Sequence, residues 1–439
     1  MATESNAVTI PRGGIRPTTM VLTLLCVMYF INYVVRVNVS TAAAVFQPEL
    51  GLTNRQVGLI FSMFGYPYLL FQIIGGWVSD RFGARKALTF FGIIWSAATV
   101  YMGLTSTLAG MLVARVMLGI GVSALPTATR AMSDWMPAEK RGFAQGITHS
   151  FARIGNAVTP LLVAWLILLV TWRGSFVLIG TISFLWAFVW VWYFRDNPAD
   201  HRGITAEELE RLPKHHGGKK RPPVPLARLA RRMLPVTIVY FCYGWTLWFF
   251  LAWIPSYFLH SYNLRLSSSA LFSSGVFLGG VVGDALGGIV SDRVFEKTGD
   301  RKKARRNLVI FGFLCSMVLM IPVVFVHNLA LVAILLSAAF FFAEFTVGPM
   351  WAIPMDIAPR HSGFASGFMN SGSALAAIIS PVVGGKIVDK TGSWEMTFVA
   401  GIGLLLFGSI MAFWMRPDEG LDDPAPTMGH TRAVPEAAV

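Results

Sequence analysis

Twelve apolar stretches of roughly 20 residues or more follow one another along this 439-residue chain, centred near 20–43, 55–79, 86–106, 108–133, 141–169, 172–194, 233–260, 268–291, 305–326, 329–355, 362–387 and 394–415. Each is long enough to cross about 30 Å of hydrocarbon as a helix. With 54% hydrophobic and 13% charged residues and a mean hydropathy of +0.59, the chain has too little polar surface to close these stretches inside a water-soluble domain. The expectation is an all-α membrane protein of twelve transmembrane helices.

The distribution of charge gives an orientation. Of the 36 Lys and Arg residues, 27 fall at the N-terminus, in the loops after spans 2, 4, 6, 8 and 10, and at the C-terminus, whereas Arg55, Arg173, Arg265, Lys386 and Lys390 fall on the other side. Cytoplasmic loops keep an excess of basic residues, so both termini of this multi-pass chain are expected in the cytoplasm. The net charge of +13 then reflects topology and contact with anionic headgroups, and no nucleic-acid partner is expected. Cys26, Cys242 and Cys315 all lie within spans, where they read as small buried apolar residues without a disulfide framework.

The chain is written twice. Gly75-Gly76-Trp77-Val78-Ser79-Asp80-Arg81 returns 212 positions later as Gly287-Gly288-Ile289-Val290-Ser291-Asp292-Arg293. Gly142-Phe143-Ala144-Gln145-Gly146 is answered by Gly363-Phe364-Ala365-Ser366-Gly367, Pro160 by Pro381, and the Trp172/Phe176 pair by Trp394/Phe398. Order, offset and residue type agree, which is the signature of an internal repeat. Residues 1–195 are therefore expected to form one six-helix bundle and 233–416 a second. Residues 196–232 form the polar linker between them, and 417–439, rich in Pro, Asp and Ala, a disordered cytoplasmic tail. Within the linker, Thr205-Ala206-Glu207-Glu208 is a capping-box pattern that predicts a short helix through Leu212, and Pro222, Pro223 and Pro225 stiffen the approach to span 7.

Two six-span halves with Gly76, Asp80, Arg81, Gly83, Arg85 and Lys86 between spans 2 and 3 resemble the major facilitator superfamily. The resemblance implies two bundles related by a pseudo-two-fold axis along the membrane normal, rocking about one central site. Glycine in the loop lets helices approach, and Asp80 can pair with basic groups to latch one conformation. The latch set is Gly76, Asp80, Arg81 and Arg85, with Asp292 and Arg293 from the second copy. A narrower set, Asn32-Tyr33-x-x-Arg36, Gly65-Tyr66, Arg115-x-x-x-Gly119, Trp253-x-Pro255-x-Tyr257 and Asn370-Ser371-Gly372, resembles the anion:cation symporter branch. That likeness implies secondary transport of sugar acids, aromatic acids or other organic anions.

Ionisable residues inside spans carry the chemistry, because each costs roughly 2.5–3.5 kcal/mol on insertion scales unless it meets a partner or water. Arg36 on span 1 and Arg115 on the oppositely directed span 4 come to similar depth at 1.5 Å per residue. Arg153 lies near mid-membrane on span 5, with His149 one turn before it. No carboxylate of spans 1–6 shares those depths, and guanidinium groups without counter-charge in their own bundle form a site for a carboxylate. The family's proton-coupled members carry acids at two positions that are Val35 and Val122 here, which removes the usual proton carriers. The repeat offset maps position 122 onto Glu344, within Phe340-Phe341-Phe342-Ala343-Glu344-Phe345. Apolar surroundings penalise the ionised carboxyl, so Glu344 is the expected proton-coupling acid. Asp284 on span 8 is the second candidate, beside a Gly275, Gly279, Gly283, Gly287 stripe suited to close helix packing.

From the second half, Tyr243 and Trp248 near the middle of span 7 are expected against the substrate skeleton. Asn370 mirrors His149, and it and Tyr66 are expected to hydrogen-bond the substrate. No phosphate-cradling loop, metal-spaced His/Cys set or nucleophile elbow is present, so no enzyme, cofactor or metal is expected. The reading is a secondary active transporter that imports a small organic anion, a carboxylate such as an aromatic acid, sugar acid or dicarboxylate, across a bacterial inner membrane by proton symport with alternating access. The alternative is proton-independent anion exchange, with drug or cation efflux further off. Its expected partners are the organic anion, protons and the bilayer, and its expected unit is a monomer.

Overall fold

The computed structural model describes residues 16–137, 141–212, 226–358 and 362–421. The described residues trace twelve spans. Span 1 is Pro17–Glu49, span 2 comes in two pieces, Asn54–Met63 and Gly65–Phe82, and span 3 is Ala84–Leu104. Span 4 is Leu108–Gly121 and Leu125–Trp135, joined by a tight turn at Val122–Ala124. Spans 5 and 6 share one helical trace, Arg141–Tyr193, which reverses at Val170 and Thr171. Spans 7 and 8 are Leu226–Ser261 and Leu266–Thr298, and span 9 is built on Leu308–Met320. Span 10 is Leu329–Phe345 and Val347–Ile357, span 11 Ser362–Thr391 and span 12 Met396–Met411.

Large apolar side chains such as Leu168, Leu185, Phe188, Trp192 and Phe325 stand exposed on the outside of this helix array, which is the arrangement a bilayer stabilises and water does not. The chain is a multi-pass membrane protein. Inside each bundle small residues set the spacing. A methyl group at Gly279, Gly283 or Gly287 would collide with the carbonyl oxygens of Ser337, Phe341 or Phe345, so span 8 lies directly on span 10, whereas Gly275 faces open space. Cys26 and Cys242 are buried, while Cys315 is only half-buried.

The breaks in spans 4 and 10 fall at matching places in the two repeats, and proline explains both. Pro126 has no N–H to give the carbonyl four residues earlier, at Val122, and Pro349 none for Phe345. Helical pairing lapses there, with Ser123 at ψ 15° and Thr346 between the two pieces of span 10. Span 2 breaks at Phe64, which leaves last-turn carbonyls of Asn54–Met63 without helical partners. These three breaks surround the site.

The loop residues pack mostly within their own bundle. Gly83 has φ 84°, and a Cβ there would strike the Asp196 carboxylate, which accepts the backbone N–H of Arg85 at 2.9 Å. The Arg85 guanidinium donates from Nε to the Val191 carbonyl at 2.9 Å. Arg81 lies over the Phe82 ring at 5.8 Å, Asp292 pairs with Arg305 at 3.1 Å, and Arg293 is exposed. The surroundings of Gly76 and the side chain of Asp80 fall outside the described residues, as do Pro222, Pro223 and Pro225. In the linker, Thr205 caps Ala206–Arg211 by accepting from the Glu208 N–H, but the Glu208 carboxylate leaves the capping box to accept from Thr18 Oγ1 at 2.9 Å. Residues 417–421, expected in a disordered tail, are held instead: Glu419 pairs with Arg232 at 2.9 Å and Asp418 with Lys302 at 2.8 Å. Residues 422–439 lie outside the described set.

Candidate functional site

A cavity of about 390 Å³ lies between the two bundles. Span 1 contributes Tyr29, Tyr33 and Arg36, span 5 His149, Arg153 and Asn156, span 7 Tyr240, Tyr243 and Trp248, and span 11 Ser366, Asn370 and Ser373. At the end away from the basic loops it is shut. A Cβ at Gly58 would strike the Pro381 carbonyl and one at Gly65 the Ile378 side chain, so spans 2 and 11 touch. Phe61 meets Trp253 at 5.0 Å and Phe64 meets Trp248 at 5.2 Å between ring centres. Asp389 of span 11 then closes the seam, accepting from the Asn54 N–H at 3.2 Å, Asn54 Nδ2 at 2.9 Å and the Arg55 N–H at 2.8 Å. A carboxylate from one bundle thus satisfies orphan N–H groups at a helix start in the other. Toward the basic end the lining residues Thr129 and Gly367 are exposed, so the cavity is reached from there.

Arg36 and Arg115 are held by backbone rather than by carboxylates. Arg36 donates to the Val122 carbonyl at 3.0 Å, the acceptor that Pro126 leaves free, and lies between the Tyr33 and Tyr68 rings at 4.8 and 4.7 Å. Its Nε has no partner and the residue is only 5% exposed. Arg115 donates to the Ile60 and Phe61 carbonyls at 3.1 and 3.3 Å, the acceptors freed by the break in span 2, and lies 4.8 Å from the Phe64 ring. A void of about 20 Å³ between Arg36, Arg115, Phe61, Phe64 and Trp248 extends the cavity toward the shut end. Among the described residues, no carboxylate reaches either guanidinium.

Arg153 differs. The expectation that it lacks a counter-charge considered only its own bundle, and the second bundle supplies two. Arg153 Nε donates to Asp284 Oδ2 at 2.9 Å, and its Nη2 lies 3.1 Å from Glu344 Oε2. Tyr243 donates its hydroxyl to Glu344 Oε1 at 2.9 Å. Glu344 sits in the last turn before the span 10 break and is 1% exposed, against 20% for Asp284 and 13% for Arg153. The two acids singled out from sequence therefore meet one arginine at the bundle interface.

Of the other expected residues, His149, Asn370, Tyr243 and Trp248 line the cavity, with Trp248 Nε1 donating to Ser373 at 3.1 Å. Tyr66 does not line it: its side chain is 49% exposed on the outer face of span 2, and Tyr68 takes the inner face. A two-residue step on a helix turns a side chain through more than half a circle, which is the signal that separates the two. Tyr33 was legible as the residue three before Arg36 on the same face. Trp351, which donates to Tyr240 at 2.8 Å, carried no sequence signal.

The family model of the Major Facilitator Superfamily matches residues 25–381 and 294–436, overlapping segments that together take in nearly the whole chain. The chain belongs to the major facilitator superfamily. Within it, the chain is 42% identical to a probable sulfoacetate transporter of Cupriavidus necator over 95% of this chain and 98% of that one. It is 30% identical to a hexuronate transporter of Bacillus subtilis, covering 88% and 92%, and 30% identical to a D-galactonate transporter of Escherichia coli, covering 90% and 94%. These facilitator relatives are permeases for organic anions and sugar acids. A bacterial homologue of the human lysosomal transporter Spinster, solved inward-facing and unoccupied, superposes with a TM-score of 0.76 at 16% identity over 92% of this chain and 98% of that one, and shares the fold.

Proposed function

We propose that this facilitator imports a small organic anion across the bacterial inner membrane by alternating access, with its basic end in the cytoplasm. The observation that carries the reading is the pair of buried guanidinium groups, Arg36 and Arg115, that among the described residues meet carbonyls and aromatic rings but no carboxylate beside a 390 Å³ cavity. Such groups lose the solvation of water without gaining a counter-ion, and an incoming carboxylate or sulfonate supplies it. Arg36 offers its unpartnered Nε as the first contact. His149, Asn370, Tyr243 and Trp248 enclose the skeleton of the bound anion. A two-carbon sulfonated acid such as sulfoacetate, or a sugar acid, fits the class that the relatives carry.

Proton coupling enters through Glu344. While ionised it shares Arg153 with Asp284; once protonated it releases Arg153 Nη2 toward the cavity, so proton and anion arrive together. Asp389 on the span 2 helix start and the Gly58 and Gly65 contacts hold the far end shut until the bundles rock. Uptake of labelled sulfoacetate into proteoliposomes under an inward proton gradient tests this. Arg36→Ala is expected to abolish uptake and exchange alike, and Glu344→Gln to abolish gradient-driven uptake while sparing exchange. Gradient-driven uptake that survives Glu344→Gln would remove the coupling role. A second reading, anion exchange without protons, is favoured by Val35 and Val122, which stand where proton-coupled relatives of this branch carry acids.

A further inference from the structure

We infer that the site admits one net negative charge, so that a doubly charged anion binds together with one more proton than a singly charged anion does. The inference rests on the reading of the cavity as the anion site and adds what that reading leaves open, the proton count for each class of substrate.

Among the described residues the charges around the cavity are few and can be counted. Arg36, Arg115 and Arg153 bring three positive charges, and Asp284 and Glu344 bring two negative ones. The other groups facing Glu344 are Tyr243 and Tyr240 from span 7 and Tyr33 from span 1, all uncharged phenols. His149 of span 5, packed against the Tyr29 and Trp351 rings one turn from Arg153, is counted as uncharged, since a second cation there would meet the like charge of the guanidinium. Gly280 brings span 8 against the Glu344 side chain without a charge. By this count the residues of the site carry one uncompensated positive charge between them.

Burial decides the consequence. Arg36, Arg115 and Glu344 are all nearly enclosed, and an uncompensated ion in such an interior is costly whichever its sign. A singly charged acid cancels the surplus and leaves both carboxylates ionised. A doubly charged acid, bearing a carboxylate and a sulfonate or two carboxylates, overshoots to one net negative charge. The least costly correction is a proton on Glu344, the more enclosed of the two acids. That same protonation frees Arg153 Nη2 for the second acidic group, so charge balance and geometry demand the same step. The proton moves from water to Glu344 Oε2, and no covalent bond to the substrate forms or breaks. Symport then describes the dianion and proton-independent exchange the monoanion, on one set of residues.

Isothermal titration of the purified full-length protein, in buffers of different ionisation heat, counts protons taken up per anion bound. Sulfoacetate serves as the dianion and galactonate as the monoanion. About one proton is expected per sulfoacetate and about none per galactonate. Sulfoacetate affinity should fall by up to about tenfold per pH unit over part of the range from pH 6 to 9 while galactonate affinity stays flat. Either Glu344→Gln or Asp284→Asn removes one negative charge, and each is expected to abolish the proton uptake that accompanies sulfoacetate; two variants guard against one that does not fold. Equal proton uptake with the two anions, or sulfoacetate binding that is flat with pH, overturns the charge rule and leaves the anion site standing. Binding of neither anion overturns the site and the rule with it.

Discussion

Replacing Arg153 with Gln removes the residue that ties Asp284 and Glu344 of the second bundle to the first. In the parent protein its Nε lies 2.9 Å from Asp284 and its Nη2 3.1 Å from Glu344, with all three side chains largely enclosed. Removing one partner of such a buried pair costs about 3–5 kcal/mol, because the charge left behind keeps its desolvation penalty. Here two carboxylates are left. Unit charges roughly 5 Å apart at an effective dielectric of about 20 repel by about 3 kcal/mol, which puts the electrostatic part of the loss within the same range. Arg153→Gln is therefore expected to melt well below the parent at pH 8, read by intrinsic tryptophan fluorescence in detergent. It should recover much of the difference at pH 5.5, where a proton on one carboxyl relieves the repulsion. The triple variant Arg153→Gln/Asp284→Asn/Glu344→Gln removes all three charges and is expected to melt nearer the parent than the single variant does. A single variant as stable as the parent at pH 8, or a triple variant no better than the single, would refute the claim that these carboxylates depend on Arg153.

Arg36→Lys is expected to fail where a simple positive charge would suffice. An ammonium cannot lie flat between Tyr33 and Tyr68 while donating to Val122, so anion affinity should drop at least tenfold by calorimetry, and parent-like affinity would count against the stacked geometry. Asp389→Ala removes three hydrogen bonds at the span 2 helix start, and a lost cap of this kind is worth about 1–2 kcal/mol. Ser40 is buried and lines the small void at the shut end, so labelling of a Ser40→Cys reporter by an impermeant maleimide from the far side should then rise roughly 5–30-fold, and an unchanged rate would exclude the seam as a gate. In the linker, burial first and Arg195 second hold the His201 pKa below the ordinary 6.5 of an imidazole. The folded linker thus favours the neutral ring, and its stability is full above about pH 6.5 and declines as pH falls through that value. Hydrogen exchange over residues 196–212 should speed up from pH 7.5 to 5.5, after correction for the intrinsic rate, if the ring contacts with Trp135 and Tyr193 anchor the segment.

Span count, repeat and membrane class were legible because each is a property of stretches of sequence. Hydropathy needs about 20 consecutive residues and no knowledge of neighbours, and the duplicated Gly-Gly-x-Val-Ser-Asp-Arg signature fixes the halves by offset alone. The same offset carried Val122 onto Glu344, and the structure puts the two at matching helix breaks, because Pro126 and Pro349 free carbonyls at equivalent points. Tyr66 was misplaced because span 2 is apolar on all sides, so its pattern does not distinguish the cavity face from the lipid face. The start of the tail, residues 417–421, was misread from composition, since Asp418 and Glu419 find Lys302 and Arg232 far away in sequence.

The sequence by itself determined that this chain spans a bilayer twelve times in two related halves, and which charges had to be explained inside it, because both follow from transfer energies and periodicity along the chain. Only the tertiary structure decided which of those charges are matched. Arg153 meets its carboxylates from spans 8 and 10, more than 130 residues away, whereas Arg36 and Arg115 meet backbone carbonyls freed by breaks in neighbouring helices. Counter-charge is settled over a few ångströms of space, and the distance between two side chains is not written in the order of residues.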